Sequence, residues 1–92
     1  MPWERRGFEG LEVIARAIDS HPEAFMDLLV LLDGLKADIF HENNHVTPLP
    51  DRDFPGRYSA PFDNAVLIFK LEQEGIIVRF LQATFWNDFV PN

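Results

Sequence analysis

Asn64–Trp86, NAVLIFKLEQEGIIVRFLQATFW, holds the densest run of β-branched and aromatic residues in the chain. Such residues fit a pleated, half-buried surface. Ala65, Leu67, Phe69 and Leu71 recur with period two, the mark of a strand face turned toward a core. Val66 and Ile68 begin the other face before Lys70 and Glu72 make it polar. Glu72-Gln73-Glu74-Gly75 supplies a turn, because Gly75 is free to take a positive φ. The stretch therefore predicts a hairpin over 64–86, returning from Ile76. On the return strand, Ile76, Val78, Phe80, Gln82, Thr84 and Trp86 alternate with Ile77, Arg79, Leu81, Ala83 and Phe85. Neither set is cleanly polar, whereas a sheet covered on one side alternates more strictly. Both faces are expected to be at least partly covered. Val66, Ile68, Val78 and Phe80 become candidates for contact with a second chain.

The segments before the hairpin read as its cover. Phe8, Leu11, Ile14, Ala15 and Ile18 have the spacing of one helical stripe, which predicts a helix over about 8–19. Ser20-His21-Pro22-Glu23 has the pattern of a capping box, with Pro22 tolerated in the first turn. A second helix is expected over about 21–40. Phe25, Leu28, Leu29, Leu32, Leu35 and Ile39 form its apolar face, with Val30 and Leu31 off the stripe. Pro48, Pro50, Pro55 and Pro61 make 41–63 an irregular loop, and 87–92 is a short tail. The expected fold is α+β: two N-terminal helices packed on a C-terminal antiparallel β-hairpin or three-stranded sheet, in a single domain over 1–92.

Composition bounds the function. The chain carries 15 acidic and 8 basic residues, for a net charge of −7. That sign disfavours both a nucleic-acid backbone and an anionic membrane, and suits a basic protein partner. The absence of cysteine removes disulfides, thiol catalysis and cysteine zinc sites. MPWERRGFEG has no apolar signal region, so the expected compartment is the cytoplasm.

His41-Glu42-Asn43-Asn44-His45 matches HExxH. On a helix, His41 and His45 would share a face and could hold zinc, with Glu42 as general base. Asp38, Asp51, Asp53 and His21 are the nearest choices for a further ligand. Asn43, Asn44 and Pro48 are poor helix residues, and the competing reading is a polar helix end with His41 near its dipole. The primary expectation is therefore no cofactor, with zinc required only by the hydrolase alternative. Asp19, Ser20 and His21 are adjacent in sequence and do not form a catalytic triad.

Two helices, an irregular loop and an apolar hairpin, in that order, resemble the RelE/ParE toxin superfamily. The matching stretch is Phe62–Phe89, FDNAVLIFKLEQEGIIVRFLQATFWNDF. The resemblance implies a related sheet and a toxin–antitoxin role. It carries over no catalytic residue, because Gln82-Ala83-Thr84-Phe85-Trp86 lacks the basic and acid–base side chains on which the family's ribonucleases rely. The family's first strand also has no counterpart before Phe8.

The primary reading is a small acidic, non-catalytic interaction module of inhibitor, immunity or regulatory type. It would bind a protein partner, a basic one being suited to its charge, and associate as a homodimer. Trp3, Tyr58 and Trp86 are its expected aromatic anchors, and Glu12 and Asp27 represent the acidic helix faces. A RelE/ParE-like toxin–antitoxin component and a minimal zinc hydrolase are the alternatives.

Overall fold

The computed structural model describes residues 7–49 and 56–86. Strand β1 (Gly7–Glu9) leads into helix α1 (Leu11–Ser20). A 3-10 turn (Pro22–Ala24) precedes helix α2 (Phe25–Ala37). Strands β2 (Thr47–Pro48), β3 (Arg57–Phe62), β4 (Ala65–Glu72) and β5 (Ile77–Phe85) follow. The sheet order is β1-β5-β4-β3-β2. Strands β2 to β5 form an antiparallel meander, and β1 lies parallel to β5 at the edge. The expected α+β class holds, but the sheet is mixed and five-stranded rather than a hairpin or three strands.

A bulge in β5 explains why its sequence alternation looked mixed. Ile68 pairs with Gln82 and Phe69 with Phe80, so Leu81 has no partner across the ladder. The extra residue reverses the side-chain parity. Val78 and Phe80 before the bulge thus share a face with Ala83 and Phe85 after it. Both helices cover that face, where Leu67, Phe69, Val78 and Phe80 are fully or almost fully buried against Leu28, Leu31 and Leu35. The other face carries Val66, Ile68, Lys70 and Glu72 of β4 beside Ile77, Arg79, Gln82 and Thr84 of β5. The described residues place no element over it. This corrects one expectation: Val78 and Phe80 are core residues rather than contacts for a partner.

The first strand escapes the periodicity argument because Phe8 happens to fit the helical spacing. In the structure Phe8 pairs with Val78 and sets its ring edge-on to Phe80, with centroids 5.1 Å apart. Gly10 ends the strand in the left-handed region, φ 76°, and starts α1. The buried stripe of α1 is Ile14 and Ala17, flanked by Val13 and Ile18, while Leu11 and Ala15 are exposed. On α2 the covered side is Leu28, Leu31 and Leu35, rotated away from the expected Phe25 and Leu29, which are exposed.

The capping box does not form. Ser20 is the last residue of α1, and the turn after it has no side-chain cap. Glu23 instead accepts from its own backbone N–H, which holds its carboxyl below the ordinary carboxylate range, and His21 lowers it further. His21 Nδ1 lies 3.2 Å from Glu23 Oε1, and the imidazole stacks on Phe85 with centroids 3.8 Å apart.

Candidate functional site

The HExxH residues do not lie on a helix. Helix α2 stops at Ala37, and Asp38 is already extended with φ −161° and ψ 105°. Glu42–Asn44 forms a 3-10 turn that His41 begins in an extended conformation and His45 ends in a left-handed one, φ 52°. His41 Nδ1 accepts a hydrogen bond from the Asn43 backbone N–H at 3.1 Å. The helical spacing on which the zinc reading depends is therefore absent. Among the described residues, no three His, Asp or Glu side chains gather as metal ligands. Asp51 and Asp53 lie outside the described residues.

The buried member of this motif is Asn44. Its side-chain amide donates to the Asp38 carbonyl at 2.7 Å and to the Ile39 carbonyl at 3.2 Å. These acceptors follow the end of α2, where backbone carbonyls lack helical donors. A Cβ at Gly34 would collide with Asn44 Oδ1, so Gly34 lets the turn close against the helix. Truncating Asn44 to alanine leaves the Ile39 carbonyl without this donor, while the Asp38 carbonyl keeps the His41 backbone N–H, and the expected loss is about 1–3 kcal/mol. Urea denaturation measures it. Gly34→Ala should cost less in the Asn44→Ala background than alone, because the colliding atom is gone.

The sheet face that the described residues leave open holds the clearest grouping of chemistry-bearing side chains. Arg57 pairs with Lys70, and Lys70 with Arg79, so three cations stand in one row across β3, β4 and β5. They are 13 and 9 positions apart in the sequence, and only the strand register brings them together. Glu72, on the same face of β4, organises two of them. Arg79 Nε donates to Glu72 Oε1 at 2.8 Å, and Lys70 Nζ lies 3.8 Å from Glu72 Oε2. Both cations remain over two-fifths exposed, so these pairs position the side chains more than they stabilise the fold. Glu9 stands opposite Arg79 on β1. The row thus gathers three cations in register within a chain of net charge −7.

Of the expected contact residues, Val66 and Ile68 lie half-buried on this uncovered face. Trp86 is 57% exposed at its edge, its backbone N–H donating to the Asn64 carbonyl at 2.9 Å. Tyr58 is on the opposite, helix-covered side, between Phe40 and Phe69 at centroid distances of 5.3 and 5.9 Å, and so belongs to the core's aromatic packing. Glu12 and Asp27 are exposed on the helices. Trp3 lies outside the described residues. No helix among the described residues is long and apolar enough to cross a membrane.

No family model and no curated protein matches the sequence. Among solved structures, the chain is similar to the crystal structure of YafQ, a RelE-family toxin, from E.coli strain BL21(DE3). The TM-score is 0.54 at 18% identity, covering 92% of this chain and 96% of that one. This is a likeness of fold over most of the chain. It lends no support to the reading as an acidic inhibitor.

Proposed function

We propose that the chain is the toxin-type member of a RelE-like toxin–antitoxin pair and engages an RNA backbone through the sheet face opposite the helices. The observation that carries this reading is the row Arg57, Lys70 and Arg79 on a fold similar to that of a RelE-family toxin. Fold likeness alone does not assign activity, so the argument rests on the row. Neighbouring strands lie about 4.8 Å apart, so the three cationic side chains form one compact row. Arginine at both ends adds the planar fork that binds phosphate oxygens in pairs. The net charge argues against nucleic acid as an average over the molecule. Binding through a short row depends on the charges that stand in it, and this row places three cations side by side.

The three histidines lie elsewhere: His21 packs on Phe85, and His41 and His45 flank the turn after α2. The described residues of the sheet face therefore supply no imidazole for acid–base work. RNA cleavage is no part of the proposal.

Expression from a tightly repressed promoter tests the reading. Induction is expected to arrest growth, and Lys70→Ala with Arg79→Ala is expected to relieve the arrest at equal levels of folded protein. Normal growth with the wild-type chain, or equal arrest by both, would overturn it.

A further inference from the structure

Helix α2 is apolar around most of its girth, the pattern of an enclosed helix, yet the described residues cover only one side of it. Leu28, Leu31 and Leu35 face the sheet, whereas Met26 and Val30, one turn apart, are 67% and 69% exposed. Beside Val30 lies a groove of about 610 Å³ between α2, the turn at 42–44 and the β3–β4 connection. Val30, Leu31 and Phe62 contribute apolar surface to it. Asp27, Asp33, Asp38 and Asp63 also line it, with His41 beside them, and among the described residues no lysine or arginine does.

We propose that this groove, with the adjoining Met26–Val30 ridge, docks a basic amphipathic helix from another protein. The apolar ridge supplies area to bury, and the carboxylates select the sign of the occupant. A second copy of this chain is a poor occupant. A two-fold interface would set the same patch on both sides and bring these aspartates against their own counterparts. The net charge of −7 adds to that repulsion. Helix α2 has 13 residues and is about 20 Å long, so the matching segment is three to four turns. The surface is separate from the Arg57–Lys70–Arg79 row, and this inference stands whichever way the RNA reading falls.

The probe is a synthetic Lys/Leu peptide of about four turns, patterned as an amphipathic helix. A scrambled peptide of equal composition and a Glu/Leu peptide of equal pattern are the controls. Titrated into the 15N-labelled chain, the Lys/Leu peptide is expected to shift the amides of Met26, Val30, Gly34 and Asp63 saturably. Val30→Ser and Asp33→Lys change exposed side chains, and each is expected to weaken binding about fivefold or more. The proposal is overturned by no binding, by equal binding of either control, or by shifts spread over Glu9, Glu12 and Asp19. It is also overturned if the chain dimerises and Val30→Ser dissociates the dimer, since the occupant would then be a second copy.

Discussion

Phe69→Ala is expected to remove most of the stability of the fold. Phe69 is 0% exposed at the centre of β4, with Tyr58 opposite it on β3 and Phe80 opposite it on β5. Its ring lies nearly parallel to that of Tyr58. Truncating a buried phenylalanine typically costs about 3–5 kcal/mol, the lost transfer energy plus the cavity left behind. A chain of this size is expected to be stable by only about 5–10 kcal/mol. The urea midpoint should therefore fall by at least about 2 M, with a slope near 1–1.5 kcal/mol per molar. Phe69→Leu should recover much of the loss because it refills part of the cavity. A drop of less than about 1 kcal/mol for Phe69→Ala would mean that the site collapses freely and does not centre the core.

Gly10→Ala is expected to have the second-largest effect, for a different reason. Gly10 joins β1 to α1 at φ 76°, where an L-residue costs about 1–2 kcal/mol. A Cβ there would also collide with the Phe80 carbonyl oxygen and lie 3.2 Å from the Phe80 nitrogen. Those are backbone atoms of β5 and cannot swing aside. Relief requires the β1–α1 junction to move away from β5, and the expected loss is about 3 kcal/mol or more. Gly56 separates the two causes. It has φ 85° with open space around the position of a Cβ, so Gly56→Ala should show the conformational cost alone. Gly7→Ala meets neither problem and should be nearly neutral. Equal losses at Gly10 and Gly56 in parallel urea titrations would show that the contact with β5 contributes nothing.

The hairpin was legible because Ala65, Leu67 and Phe69 obey period two without interruption, and they are the buried face of β4. The return strand was harder. A bulge at Leu81 leaves no local signature, and it turned two clean faces into two that looked mixed. Strand β1 was missed because Phe8 fits a helical stripe, although Gly10 two positions later was a usable stop signal. Strand β3 was hidden by Pro61, which lies in a strand paired to β4 and led the segment to be read as loop. The cation row lay beyond sequence reasoning: Arg57, Lys70 and Arg79 look scattered until register aligns them. In HENNH the histidines carry the sequence signal, while the buried residue that ties the turn to α2 is Asn44.

The central functional claim is that Arg57, Lys70 and Arg79 act together on an RNA backbone. The most direct test is the salt dependence of affinity for a single-stranded RNA oligonucleotide. Each phosphate contact on a single strand contributes about −0.7 to the slope of log affinity against log salt. Three contacts predict a slope near −2, and Lys70→Ala should reduce its magnitude by about 0.7. Binding without salt dependence, no binding at low salt, or a slope unchanged by Lys70→Ala would contradict the assignment of this face.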